Sequence, residues 1–272
     1  MIIAFKADQQ PLVEQEPRMG TVAVLPWDAQ YFGFNVGTYA PPNAGAEAPP
    51  SSSRLKQLLH EWMCAQSVEM VSCAVPGHAV HWLACLSSAG FAFVDMALLA
   101  FARKLASLPP ARVKVRAAES ADEDRLVEIS GSAFQFGRYH TDARFPRGLA
   151  DNRYRYWIRN ALAARSGREF VFVTGPVGAP TGFMHATLDG TCATLHLAAV
   201  DADQNAGILG PALFVSALHE LVAKGARSAK ARLAAANTVV LSLYASLGFT
   251  FPEAEAVFHL HAVDAMHLEP AI

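Results

Sequence analysis

Tyr244 has the setting in this chain that says most about chemistry. It lies in Asn237-Thr-Val-Val-Leu-Ser-Leu243-Tyr244-Ala-Ser-Leu247-Gly248-Phe249, where the apolar spacing predicts a helix that a Gly-Phe pair ends. A phenol has a pKa of roughly 10 and a thiol roughly 8.5, so at neutral pH this tyrosine can hand a proton to a departing thiolate. Asn237, in the turn before the helix, stands where an N-cap belongs. Upstream, Gln204-Asn205-Ala206-Gly207-Ile208-Leu209-Gly210-Pro211 leads from an apolar run into another helix. Open N–H groups at a helix start bind phosphate oxygens, and glycines let the backbone come close. A basic, aromatic stretch over 134–160 carries Arg138, His140 and Arg144, and arginine forks match phosphate geometry.

The elements that must position these residues follow from periodicity and turns. Residues 40–53, rich in Pro, Ala and Ser, read as a long loop, and Pro109-Pro110 marks a linker. The expected domains are therefore 1–108 and 112–272. In the first, strands over 21–25, 68–75 and 91–101 alternate with helices over 54–66 and 78–88. In the second, a strand over 113–117 precedes helices over 122–132 and 151–164. Strands follow over 170–174, 181–188 and 191–200, with Asp189-Gly190 as a hairpin turn. A helix over 210–223 has Pro211 at its first position. A strand over 228–235, the helix over 238–246 and two short strands over 249–251 and 256–262 complete the chain. The fold class is α/β with a mixed, mostly antiparallel sheet flanked by helices. Cys85-Leu86-Ser-Ser-Ala-Gly90-Phe91 echoes Leu243-Tyr244-Ala-Ser-Leu-Gly248-Phe249. Either this is an ordinary Gly-terminated helix, or the first domain is a partial copy with Leu86 in the place of Tyr244.

Composition narrows the functions further. With 52% apolar and 17% charged residues, the chain can bury a core. Its 22 Lys and Arg against 24 Asp and Glu give no field that would attract nucleic acid or an acidic membrane. The apolar run over 96–102 is far below a membrane span, and the N-terminus is too short and polar for a signal peptide. Four scattered cysteines read as buried, reduced thiols, which with the other features implies a cytoplasmic protein. His259 and His261 share a strand face without carboxylate or cysteine company, so no metal is expected.

The Asn-Leu-Tyr-Leu-Gly-Phe order of residues 237–249 resembles the last helix of the Gcn5-related N-acetyltransferases (GNAT), and the order of elements in the second part is that of their fold. The Arg144-Phe145-Pro146 stretch and Trp27-Asp28…Phe32-Gly33 are similar to segments of the dTDP-fucosamine acetyltransferases within that superfamily. The resemblance implies acetyl-CoA as cosubstrate, cradled by Asn205, Ala206, Gly207, Ile208 and Gly210. It also implies a thioester carbonyl near Ala199 and Val200, a pantetheine contact at Asn237 and Tyr244 as general acid. Ile208 departs from the family's pattern, which has a glycine there in one of the two registers. Arg138, His140 and Arg144 would contact the acceptor, a small-molecule amine such as a nucleotide-linked 4-amino-4,6-dideoxyhexose. His140, His185 and His196 are the histidines near the presumed cleft. Another small amine or a peptide is the alternative acceptor, and a non-catalytic binding module is the alternative of another class. A homodimer is among the assemblies the sequence allows.

Overall fold

The computed structural model describes residues 9–13, 19–45, 47–105, 107–164 and 166–262. One sheet of eleven strands runs through the whole molecule. The strands are β1 (Gln10–Pro11), β2 (Thr21–Val24), β3 (Asn35–Ala40), β4 (Val68–Pro76), β5 (Ala92–Ala102), β6 (Arg116–Ala117), β7 (Glu169–Thr174), β8 (Gly182–Asp189), β9 (Cys192–Val200), β10 (Ser228–Ala234) and β11 (Thr250–His261). The helices are α1 (Pro26–Phe32), α2 (Ser52–Ala65), α3 (Val80–Ser88), α4 (Glu123–Ala133), α5 (Arg138–Thr141), α6 (Arg147–Ala163), α7 (Ala206–Ala223) and α8 (Thr238–Ser246). The sheet order is β1-β2-β3-β4-β11-β5-β10-β9-β8-β7-β6.

That order contains an exchange. The run β3-α2-β4-α3-β5 in the first half has the same succession as β9-α7-β10-α8-β11 in the second. In both, the first two strands are parallel. The third strand then leaves its own half: β5 pairs antiparallel with β10, and β11 pairs antiparallel with β4. The two exchanged strands lie side by side at the centre. The echo between residues 85–91 and 243–249 is thereby a structural correspondence. Gly90 and Gly248 both take positive φ, at 98° and 81°, where a residue with a Cβ would be strained. In each turn a phenylalanine N–H closes the helix, from Phe91 to the Leu86 carbonyl and from Phe249 to that of Tyr244.

Apolar alternation divides the sheet into two faces. Helices α2 and α3 cover one face of the first half through Leu55, Leu59, Trp82 and Leu86, and α7 and α8 cover the same face of the second through Leu213, Phe214, Leu218 and Tyr244. On the opposite face α4 and α6 pack Leu126, Ile129 and Ile158 against β7–β9, while α1 and α5 pack Phe32 and Tyr139 over β3 and β4. By length and composition α7 could cross a membrane, but here its inner side is core. Of the thiols, Cys73 and Cys85 are buried and Cys192 partly so, whereas Cys64 is exposed, against the expectation of buried cysteines.

Several boundaries differ from the sequence expectation. Helix α7 begins at Ala206, four residues early, so Pro211 lies inside it rather than at its first position. The two expected strands over 249–251 and 256–262 are one strand, β11, over Thr250–His261; the expected break is a register irregularity between Thr250 and Glu253, where Pro252 cannot donate to the ladder. Helix α1 and strand β3 were not expected as separate elements.

Candidate active site

The second half opens where its parallel pair divides. β9 and β10 are in register only from Cys192 and Ser228 to Leu195 and Ala231. Beyond that point β9 continues on β8 alone, with Ala199 opposite Phe183 and Val200 opposite Gly182, while β10 continues on β5. A bulge at His196, between the pairs His185–Leu197 and Ala186–Leu195, marks the start of the divergence. The edges of 197–200 and 232–234 that would face each other therefore have no ladder partner.

At the mouth of this gap lies the start of α7. Ile208 and Leu209 donate to the carbonyl of Asn205, which is the N-cap but makes no side-chain capping bond. The first N–H groups of α7 are thus left for another acceptor. Asn205, Ala206, Gly207 and Ile208 are exposed, Ile208 by 71%, and Gly210 is partly exposed. Asp201 beside them is neutralised by Arg125, which also pairs with Glu128. The corresponding start in the first half is closed. Ser51 caps α2 by accepting from Arg54 N (3.4 Å). The Pro-rich loop before it lies on α3, where Trp82 Nε1 donates to the Glu47 carbonyl (2.9 Å) and Cys85 Sγ to that of Pro50 (3.4 Å).

Tyr244 lies on α8, on the side of the sheet that α7 also covers. It shares a core cluster with Leu195 and Ala231, the last paired residues before the strands part. Phe214 and Phe249 hold its ring at centroid distances of 4.8 and 4.7 Å. Burial alone pushes its phenol above the ordinary range, with no hydrogen bond or charge opposing it, so it is protonated at neutral pH. Asn237 is the N-cap of α8, its Oδ1 accepting from Val240 N (3.3 Å). In the first half Leu86, fully buried, occupies the place of Tyr244.

The residues expected on the acceptor side divide. His140 does not face the gap: its Nε2 is 2.8 Å from Asp151 Oδ1, and its ring stacks on Tyr154. Arg144 is drawn to β11, where it donates to the His259 carbonyl (3.5 Å). The Arg144-Phe145-Pro146 stretch and the 25–34 segment pack on each other, with Phe145 against Phe32, Phe34 and Tyr139. Behind them Arg153 Nε donates to Asp28 Oδ1 (2.8 Å) beneath Trp27 and Trp157. This clasp joins the two halves. Arg138 lies between the clasp, 3.7 Å from Asp28 Oδ2, and β5, on which α5 packs.

His185 and His196 lie next to the gap, with rings 4.8 Å apart. His185 Nε2 meets Glu169 (2.8 Å) and His196 Nε2 meets Thr187 (2.9 Å). Burial, with His185 adding to it, lowers the His196 pKa to about 3, so its ring is neutral and a weak proton acceptor. His259 and His261 do have carboxylate company: Asp142 Oδ2 is 2.8 Å from His259 Nδ1 and 2.7 Å from His261 Nε2. Such a trio could hold a cation, but these lengths are those of hydrogen bonds that already satisfy the three atoms. Sequence reasoning missed Asp142 because it lies 117 residues from His259.

No family model matches the sequence, and no curated protein matches it. Solved structures do share the fold. A GCN5-related N-acetyltransferase from Sphaerobacter thermophilus superposes with a TM-score of 0.62 at 14% identity, over 90% of this chain and 77% of that one. A tandem GNAT protein from the clavulanic acid biosynthesis pathway gives 0.56 at 15%, over 89% and 79%. A GCN5-related N-acetyltransferase from Kribbella flavida gives 0.55 at 14%, over 88% and 86%. At these identities the likeness concerns architecture, and it spans both halves: the chain has the GNAT fold, in a form whose two halves share one sheet.

Proposed function

We propose that the chain is a cytoplasmic N-acetyltransferase that moves an acetyl group from acetyl-CoA to a primary amine, in the second half only. The observation that supports this is the conjunction of three features in the second half: divided parallel strands, an uncapped helix start and a buried, protonated tyrosine in the core cluster that includes the last paired residues. The residues fit the cosubstrate. Ala206 and Gly207 offer open N–H groups to a pyrophosphate, with Asn205 beside them and open space at Gly210; the Ile208 N–H already donates to the Asn205 carbonyl, and Gly210 and Pro211 lie deeper in the helix, beyond its open donors. Ala199 and Val200 line the unpaired edge that suits the pantetheine arm and the thioester oxygen, and Asn237 still has its side-chain N–H groups for the arm.

Acetyl-CoA supplies an acyl group activated by its thiol. The amine nitrogen forms the new C–N bond, the C–S bond breaks, the sulfur takes the Tyr244 proton and the surplus nitrogen proton passes to solvent, which restores the phenol. A nucleotide-linked 4-amino-4,6-dideoxyhexose is the finer form of the acceptor reading, and Arg138 is the expected contact that remains in place for its diphosphate. Two measurements test the proposal. Acetyl-CoA should bind in calorimetry, and Tyr244→Phe should lower kcat by about a hundredfold while leaving that binding unchanged. Full activity of Tyr244→Phe would remove the tyrosine from the chemistry, and no acetyl-CoA binding at millimolar ligand would leave a non-catalytic module.

A further inference from the structure

We propose that the acceptor is an amine that also carries an anionic group: Asp95 binds its ammonium, which gives up one proton to solvent before the freed nitrogen attacks, and Arg138 binds its anion. This rests on the acyl-transfer reading above and names the substrate class for the same site. The residues involved stand on the sheet face opposite α7 and α8. Along β5, Asp95, Ala97 and Leu99 point to that face, opposite Val257, Glu255 and Glu253 of β11, and Arg232 of β10 stands opposite Leu99. Strand β5 belongs to the first half but has replaced the second half's own strand beside β10. The exchange therefore brings Asp95 to the site of the other half.

The charges here are unevenly matched. Arg232 and Glu255 satisfy each other, with Nε donating to Oε2 at 3.0 Å across β5. Asp95 makes no ion pair among the described residues. Burial raises its pKa even though Arg232 and Arg138 oppose the rise, which marks an under-compensated carboxylate. Arg138 has the opposite surplus. Asp28, its nearest acid at 3.7 Å, already accepts from Arg153 Nε on one oxygen and from Tyr139 Oη on the other. The guanidinium hydrogen-bonds the Tyr139 hydroxyl (2.9 Å), and among the described residues its other N–H donors have no hydrogen-bond partner. Thr141 at the end of α5 donates to the Val94 carbonyl of β5 (2.5 Å), which seats α5, and Arg138 with it, beside Asp95, and the Tyr154 hydroxyl of α6 lies against Gly137 next to Arg138. A neutral amine would meet only Asp95 and leave the Arg138 surplus in place. A molecule with both charges answers both.

The test is a thiol-release assay of the full chain with acetyl-CoA and four acceptors: propylamine, β-alanine, aminoethyl phosphate and a nucleotide-linked amino sugar. At least one anionic amine should exceed propylamine in kcat/KM by about tenfold or more, and which one does so separates carboxylate from phosphate. Arg138→Gln should bring that ratio to near one, and Arg138→Lys should keep part of it. Asp95→Asn should raise KM for the preferred amine about tenfold with KM for acetyl-CoA unchanged. Acetyl-CoA binding by each variant shows that it is folded. Equal use of propylamine, an unchanged ratio in Arg138→Gln, or no acceptor above the hydrolysis background would overturn the inference while acetyl-CoA still binds. Failure of the wild type to bind acetyl-CoA would overturn the acyl-transfer reading, and this inference with it.

Discussion

The buried histidines make stability a function of pH. Burial lowers the pKa of His196 to about 3 and that of His259 to about 4, against an ordinary 6.5. Above pH 6.5 neither ring is charged in either state, so their contribution is complete there. As pH falls, the unfolded chain takes up protons that the folded chain refuses, until the folded values are reached. Between pH 6 and 5 the two together should cost about 2 kcal/mol of unfolding free energy, roughly 1 for each. Urea midpoints at pH 7.5, 6 and 5 would show the fall, and His196→Gln should roughly halve it; a flat profile would mean that the rings are not buried neutral. Asp142, held below the carboxylate range by His259 and His261 against the opposing effect of burial, adds a loss only below pH 4. The helix that carries Tyr244 and its cap at Asn237 were legible in the sequence because their setting is local, thirteen residues with an N-cap, an apolar stripe and a Gly-Phe stop. The partners of His140 and Arg144 were not: the pairing with Asp151, eleven residues on, has no periodic signature, and His259 of β11 is 115 residues from Arg144.

At the scale of elements, the start of α7 carries the sharpest prediction. Gly207 does not take a positive φ, and a Cβ there would meet only Asn205 Oδ1, at 3.5 Å. A side chain is sterically acceptable, so Gly207→Glu isolates the effect of charge. An acid in the first turn favours the helix by about 0.3–1 kcal/mol through the dipole. The same charge should repel a pyrophosphate and raise the acetyl-CoA Kd about tenfold or more. Unchanged or higher Tm with weakened binding is the expected pair of results in scanning and titration calorimetry; unchanged affinity would place the phosphates elsewhere. The sequence pointed to this loop but not to where the helix begins. Pro211 suits a first helical position, and that preference hid the turn formed by residues 206–210. In β11, Pro252 similarly suggested two strands where a local irregularity suffices.

The whole molecule depends on pairings between residues far apart in sequence. Periodicity found most strands, but nothing in a strand's own residues says that β11 inserts between β4 and β5 or that β5 lies against β10. Two features of that arrangement act together. The closed start of α2 and the buried Leu86 leave one competent half, so calorimetry should give one acetyl-CoA per chain; a ratio of two would mean that the Pro-rich loop opens. The exchange also ties the halves into one folding unit. A fragment spanning 112–272 would lack β5, so β10 and β11 would lose the neighbour they share and Val257 its packing against Val94 and Ala97. A fragment spanning 1–108 would lack β11 and leave β4 with an open edge bearing Val71, Cys73 and Val75. Neither piece should fold alone, and the full chain should unfold in one transition with the same urea midpoint by tryptophan fluorescence and circular dichroism. The tryptophans sit in both halves, so two separated midpoints would show that the lobes fold independently and that the shared sheet contributes little to their stability.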